Sequence, residues 1–179
     1  MYWLSLVAVF LGLCIVTESQ LSQNDREKFL SEHNVRRQLL KNGQLPNQPQ
    51  AASMPDLVWD STLETSAQLL ADSCIFGHDS YSARATKQFT YVGQNIAGIP
   101  FLFASVGAWF NEHSIYNYTS NSCRGICGHY TQIAWANTTN LGCGYKYCHS
   151  SNFPYGFYVV CNYGPAGNFN NQKPYEVAK

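Results

Sequence analysis

Cysteine is the residue type in this sequence whose number and spacing point most directly to chemistry. The chain has seven cysteines, and six of them follow the first 20 residues. In a secreted chain an even number predicts disulfides, here three, although six cysteines allow fifteen pairings and spacing alone does not choose among them. The Cys123-x-x-x-Cys127 spacing would also suit zinc, but the oxidising secretory route favours disulfides over thiolate ligands. The six are Cys74, Cys123, Cys127, Cys143, Cys148 and Cys161.

No serine stands out as a nucleophile beside a base. Ser80 and Ser82 follow His78 in a polar segment, where serines are more often plain loop residues than nucleophiles. With the cysteines committed to disulfides, the sequence predicts no nucleophile activated by a neighbouring base, and therefore no enzyme of that type. The other histidines are expected to be structural or surface residues: His33, His113 and His149.

The N-terminal residues resemble a leader rather than part of a fold. Residues 4–16 are apolar apart from small residues and one cysteine, and Ser19 precedes a suitable cleavage point. This pattern predicts a signal peptide at 1–19 and a single domain at 20–179. The alternative, an uncleaved membrane anchor, needs about 20 apolar residues, which the run does not reach. We therefore expect a secreted, extracellular protein that does not span the membrane.

Charge and sequons agree with that location and exclude one class of partner. The mature chain would carry a net charge of +1, because Glu18 is lost with the leader. Nucleic-acid binders carry a basic excess, so we expect no nucleic-acid partner. Asn117-Tyr118-Thr119 and Asn137-Thr138-Thr139 are sequons, so Asn117 and Asn137 are possible glycosylation sites.

Hydrophobic periodicity predicts helices in the first two thirds of the chain. A helix over 24–40 would begin with a capping box of Ser22 and Asp25. A second would begin with a capping box of Ser61 and Glu64 and would present a single apolar stripe. A third is predicted over 102–116, and 42–55 is predicted to be a loop.

The last third of the chain predicts strands instead. Residues 142–148 and 157–163 alternate apolar and polar positions around a segment rich in turn formers, which predicts an antiparallel pair. Helices followed by strands, without regular alternation of the two, indicate the α+β class.

Two longer segments carry a family resemblance. Residues 128–138, GHYTQIAWANT, and 158–169, YVVCNYGPAGNF, each resemble a signature of the CAP superfamily, which includes the cysteine-rich secretory, antigen 5 and pathogenesis-related group 1 proteins. His33-Asn34 with Arg37, residues 93–96, and Trp109 with Glu112 support it in order. The resemblance covers about 25–169 and is nearest in appearance to single-domain helminth venom-allergen-like proteins. It implies a three-layer α-β-α sandwich with a small antiparallel sheet.

The resemblance also implies which cysteines pair and which polar residues meet. The implied disulfides are Cys74–Cys148, Cys123–Cys127 and Cys143–Cys161, the last of which would also tie the two predicted strands together. A central cleft of the family would be lined here by His78, Gln94, Glu112 and His129, with Gln94 where glutamate is usual. No cofactor is required, but such a cluster could hold a divalent cation such as zinc weakly. The alternative is a structural hydrogen-bond network.

Finally, the resemblance implies an apolar ligand. The loop at 115–124, with Tyr116 and Tyr118 as aromatic platforms, would bind sterol, and Phe101, Phe103 and Phe110 would line a groove for a fatty acyl chain. These aromatics could equally be plain core. The expected function is that of a secreted, non-enzymatic binder of sterols or fatty acids. The alternatives are an immunomodulatory effector that binds a host or cell-surface protein, and a cation-dependent hydrolase.

Overall fold

The computed structural model describes residues 21–149 and 152–179. The predicted signal peptide at 1–19 lies outside these residues. Across the described residues, none of the helices combines the length and apolar character needed to cross a membrane.

Helices and strands follow one another along the chain as an α+β protein, as the sequence predicts. The helices are α1 (Gln23–Lys41), α2 (Ser61–Asp72), α3 (Tyr81–Arg84), α4 (Ala104–Asn111) and α5 (Gly128–Ile133), with a 3-10 turn at Glu112–Ser114. The strands are β1 (Val58–Trp59), β2 (Gly93–Ile99), β3 (Tyr116–Asn117), β4 (Ser122–Cys123), β5 (Asn140–Tyr147) and β6 (Phe157–Gly164).

The main sheet has four strands in the order β1-β5-β6-β2. Strand β6 pairs antiparallel with both β5 and β2, and the short β1 runs parallel to β5. Cys143 lies opposite Cys161 in the β5–β6 ladder, which places the two sulfurs for a cross-strand disulfide. β3 and β4 form a separate two-stranded ribbon.

Helices cover both faces of this sheet, which gives the expected three layers. On one face, α2 approaches β5 so closely that a Cβ at Gly142 would lie 2.1 Å from the Glu64 backbone nitrogen. Only glycine permits that contact. On the other face, buried residues of α1, α4 and α5 pack with Val159, Cys161 and Tyr163 of β6. The alternating residues of β6 thus serve two separate cores.

Two local predictions need correction, and a third is confirmed. The α2 helix is capped by Asp60, whose carboxylate accepts bonds from the backbone nitrogens of Thr62 and Leu63, so the predicted Ser61/Glu64 box is wrong. Glu64 instead accepts bonds from Arg26 and Trp59. The third helix ends at Asn111 rather than 116, since the chain tightens into the 3-10 turn and then enters β3. The helix predicted over 24–40 is confirmed with Ser22 as its cap.

The three disulfides are those implied by the resemblance: Cys74–Cys148, Cys123–Cys127 and Cys143–Cys161. The first joins the end of α2 to the end of β5 across 74 residues. The second closes the segment just before α5, and the third lies inside the sheet.

Candidate functional site

Glu112 and His129 form a tight pair at the start of α5. The His129 Nδ1 lies 2.6 Å from Glu112 Oε1, and Glu112 Oε2 accepts hydrogen bonds from the backbone nitrogens of His129 and Tyr130 at 3.1 and 3.2 Å. The residue at the N-cap of α5, Cys127, provides no side-chain cap. Glu112 therefore supplies the carboxylate that satisfies the unpaired N–H groups at this helix start.

The same geometry fixes the proton on the His129 ring. A carboxylate accepts hydrogen bonds but cannot donate them, so Nδ1 of His129 carries the hydrogen. The ring is also stacked on Trp109, with 6.0 Å between ring centroids. His129 is thus held in one orientation by a carboxylate and by an aromatic face.

His78 and Gln94 form the second pair, held by a different network. Gln94 Oε1 lies 2.8 Å from His78 Nδ1, and its Nε2 donates to Asp79 Oδ1 at 3.1 Å and to Asn162 Oδ1 at 2.9 Å. Asp79 in turn accepts a bond from Arg84 at 2.6 Å. The amide of Gln94 therefore joins the loop after α2 to strand β6, which a glutamate could not do because it lacks the N–H donors.

These four residues, which we call the polar cleft, do not form a ligand set. Within 21–149 and 152–179, no three residues among His, Cys, Asp and Glu come together as a group able to hold a metal ion. His78 and His129 each face a hydrogen-bonded partner through Nδ1 instead. The expected weak zinc site is therefore not preformed, and no chemistry through a cation is derived from it.

Below the polar cleft the hydrogen-bond network continues into the core. Asn95 donates to the His129 carbonyl at 3.1 Å and to the Tyr163 hydroxyl at 3.0 Å, and Tyr163 lies 2.8 Å from His33 Nε2. His33 Nδ1 faces the Phe29 carbonyl at 2.7 Å, so Nδ1 carries the hydrogen and Nε2 accepts from Tyr163. Complete burial lowers the pKa of His33 to about 4, so the ring is neutral at physiological pH.

The two tyrosines expected to form a sterol platform are core residues. Tyr116 and Tyr118 are both 7% exposed. Tyr116 donates to Asn121 Oδ1 at 2.7 Å, and Tyr118 donates to the Tyr175 carbonyl. Burial raises the pKa of Tyr116 to about 12. The expectation of open aromatic faces on this loop is therefore wrong.

A segment that the sequence did not single out covers these rings. We call residues 171–179 the C-terminal strap. Its Tyr175 ring packs on Tyr118 with centroids 4.8 Å apart, and Lys173 Nζ lies 4.7 Å from the centre of the Tyr118 ring. Backbone bonds from Ala52 to the Glu176 carbonyl and from Ala178 to the Gln50 carbonyl hold it in place. Tyr175 is the only aromatic residue in this strap, so little in the sequence indicates that the strap packs on the core.

The three phenylalanines proposed for a groove occupy different environments. Phe110 is buried, with its ring 5.5 Å from that of Tyr130. Phe103 is half-buried, and its ring centroid lies 5.2 Å from that of Phe29 in α1. Phe101 is 74% exposed. Phe110 is therefore core, whereas Phe101 and Phe103 reach the surface.

The predicted glycosylation sites are both accessible. The Asn117 and Asn137 residues are exposed, although their neighbours Tyr118 and Thr138 are buried. Asn117 Oδ1 accepts a bond from the Ser120 nitrogen at 3.0 Å, which fixes a turn at the tip of the β3–β4 ribbon. Occupancy of either site by a glycan stays a prediction.

The chain is similar to several known proteins over most of its length. It is 35% identical to Scoloptoxin SSD976 of Scolopendra dehaani, over 91% of this chain and 79% of that protein. It is 34% identical to Salivary antigen-5 of Triatoma infestans, over 95% and 77%. The structure of venom allergen-like protein 4 of Schistosoma mansoni superposes with a TM-score of 0.79 at 30% identity, over 89% of this chain and 97% of that one.

A second solved structure also matches over most of its length, and the family assignment follows from all of these matches. NaASP2, whose crystal structure was solved with Zn2+, matches with a TM-score of 0.74 at 31% identity, over 90% of both chains. The cysteine-rich secretory protein family matches residues 30–163. Together with the α-β-α fold and its three disulfides, these matches show that the chain belongs to the CAP family of cysteine-rich secretory proteins.

Proposed function

We propose that this protein is a secreted, non-enzymatic CAP protein that binds an apolar ligand, with a fatty acyl chain as the preferred class. The observation that carries the proposal is a set of packed aromatic rings, most of which are only half-buried. We call this set the aromatic row, and it consists of Phe103, Phe29, Tyr145 and Phe157. Secretion is supported by the predicted leader, the three disulfides and the two accessible sequons.

The aromatic row runs from Phe103 at the start of α4, past Phe29 of α1, to strands β5 and β6. Ring centroids are 5.2 Å apart between Phe29 and Phe103, 6.4 Å between Phe29 and Tyr145, and 6.0 Å between Tyr145 and Phe157. Phe29 is fully buried and the others are half-buried, so the row is a partly open apolar surface. Phe101, two residues before Phe103, leaves its side chain in solvent. An acyl chain laid along the three half-buried rings would bury area worth about 25 cal/mol per Å².

The polar cleft supports the absence of enzymatic chemistry in this proposal. Glu112 is occupied by the start of α5, and Gln94 by Asp79 and Asn162. A general base must lie within hydrogen-bond reach of the proton that it removes, and both Glu112 oxygens already accept hydrogen bonds. The six cysteines of the described residues are all in disulfides.

Sterol is the second ligand in the proposal, and its binding has a condition. If sterol binds at the 115–124 loop, it must displace the C-terminal strap, because Tyr175 and Lys173 cover the Tyr118 ring. We therefore expect sterol binding to be weaker or slower than fatty-acid binding in the intact chain.

Displacement of a fluorescent fatty acid tests the proposal directly. The Phe101→Ser/Phe103→Ser variant should weaken binding about tenfold, which corresponds to burial lost from two aromatic side chains. Phe169→Ser is the matched control, since Phe169 is an exposed aromatic that packs on Trp135 and lies outside the aromatic row. Equal affinity in the wild type and the double variant would contradict the site. No retention of any fatty acid or sterol would favour the protein-interaction alternative.

A further inference from the structure

Several exposed apolar side chains meet at the end of the sheet where β5 turns into β6. We call them the aromatic patch: Ile75, Phe76, Tyr147 and Tyr155. They are 72%, 51%, 47% and 51% exposed, respectively. The Phe76 and Tyr155 ring centroids are 5.9 Å apart, and Tyr147 lies beside Gly156, the residue after Tyr155.

The segments that build this end of the sheet carry no formal charge. Residues 75–77, 97–105, 147–149 and 152–158 contain no Asp, Glu, Lys or Arg. The nearest charged pair in sequence, Asp72 with Lys146, is an exposed salt bridge at the margin of the patch. A surface of this composition complements an uncharged, apolar partner rather than a charged one.

The patch is also held rigidly before any partner arrives. The Cys74–Cys148 disulfide ties the residue before Ile75 to the residue after Tyr147. Tyr158 donates to the Gly77 carbonyl at 2.7 Å, and Cys148 donates to the Gly156 carbonyl at 2.8 Å. A Cβ at Gly98 would lie 2.7 Å from the Tyr155 ring, so the bare glycine lets that ring lie over β2. Exposed aromatics fixed in this way lose little conformational entropy on binding.

We propose that the aromatic patch docks on the interfacial region of an uncharged phospholipid bilayer. Tyrosine suits that region because its ring is apolar and its hydroxyl stays hydrated. Four side chains are few for a stable protein interface, which needs about 20 to 30 residues on each side. Membrane docking needs no matching shape, since its strength scales with the apolar area inserted.

The position of the patch gives docking a consequence for the proposed ligand. Pro100 lies 3.6 Å from a Cβ placed on Gly156, and the ring centroids of Tyr147 and Phe157 are 4.9 Å apart, so the patch adjoins the Phe157 end of the aromatic row. A docked molecule would thus hold the Phe157 end of the row next to the membrane interface. Docking itself does not depend on the proposed function, because it uses different side chains.

Sedimentation of the mature protein with pure phosphatidylcholine vesicles tests this inference. The wild type should partition onto the vesicles, and added salt should leave that partitioning unchanged because no ion pairs are involved. The Ile75→Ser/Tyr155→Ser variant should lose about fivefold or more in partitioning, as expected for the apolar area removed. Val35→Ser is the matched control: Val35 is 57% exposed on α1 and is not part of the patch.

Two further measurements separate a loss of docking from a loss of folding or of ligand binding. Ile75→Ser alone removes a side chain exposed to solvent, so it provides a folded variant even if the double variant melts early. Fatty-acid displacement by the patch variant should match the wild type, which separates failure of docking from failure of ligand binding. Three results would overturn docking. They are no binding of the wild type to phosphatidylcholine vesicles, equal binding of the patch variant and the wild type to these vesicles, and binding of the wild type to anionic vesicles alone. Self-association lost in the patch variant, without vesicle binding, would identify a second copy as the partner and also overturn it.

Discussion

The polar cleft and the aromatic row use their residues in opposite ways. In the polar cleft every side chain already has a partner, and each partner belongs to another element: Glu112 joins the end of α4 to α5, and Gln94 joins the loop after α2 to β6. In the aromatic row three of the four rings stay half-buried, and the neighbouring Phe101 is 74% exposed. Hydrogen bonding in the polar cleft therefore holds separate elements of the fold together, whereas the aromatic row leaves apolar surface for a ligand.

The largest expected effect is the loss of stability at acidic pH, which tests whether His33 is buried in its neutral form. Burial lowers the folded pKa of His33 from 6.5 to about 4, so the unfolded chain binds more protons between these values. The free energy of unfolding should therefore fall as pH drops from about 6.5 to 4, by about 3 kcal/mol from this residue. Urea unfolding at a series of pH values measures it. A flat profile over this range would mean that His33 is solvated in the native state.

Removal of the α5 cap should have the next largest effect. Glu112→Ala removes bonds to the His129 ring and to two backbone nitrogens, and should cost about 2 to 3 kcal/mol in unfolding free energy. The Glu112→Gln variant keeps the shape and should cost less. Fatty-acid binding by whichever variant stays folded should be unchanged, and a large loss of affinity would place the polar cleft in the ligand site.

Restoring the usual glutamate should weaken the fold rather than create a site. Gln94→Glu replaces the amide that donates to Asp79 and Asn162 with a carboxylate facing Asp79. Like-charge repulsion raises the folded pKa of such a glutamate, so the loss, about 1 to 2 kcal/mol, should be largest at neutral pH and shrink on acidification. Denaturation at pH 7 and pH 4.5 measures it. Tight zinc binding by Gln94→Glu, seen by calorimetry, would instead revive the cation site.

The smallest effect concerns the C-terminal strap. Tyr118→Phe removes the hydrogen bond to the Tyr175 carbonyl and should cost about 1 kcal/mol while the ring contact stays. If sterol binds below the strap, this variant should bind sterol as well as the wild type or better. Weaker sterol binding by Tyr118→Phe would mean that the hydroxyl contacts the ligand. Tyr118→Ala is unsuitable for this test because it would leave a cavity in the core and destabilise the protein.

The sequence predicts the scaffold better than the site. The apolar stripe of α2, the alternation in β5 and β6, and the Ser22 cap are local signals, and the structure confirms them. Strand β2 was not predicted, because Gly93–Ile99 contains two glycines and lacks clear alternation; residues 93–96 supported only the family resemblance. The burial of Tyr118 depends on Tyr175, 57 residues further along the chain, so no local pattern could predict it.

The central claim is that the apolar ligand is held by the aromatic row and not by the polar cleft. The most direct measurement is the fatty-acid dissociation constant of three proteins in one displacement assay: wild type, Glu112→Gln, and Phe101→Ser/Phe103→Ser. We expect the first two to agree and the third to bind about tenfold more weakly. A wild-type affinity in the phenylalanine variant, with a loss in Glu112→Gln, would contradict the claim.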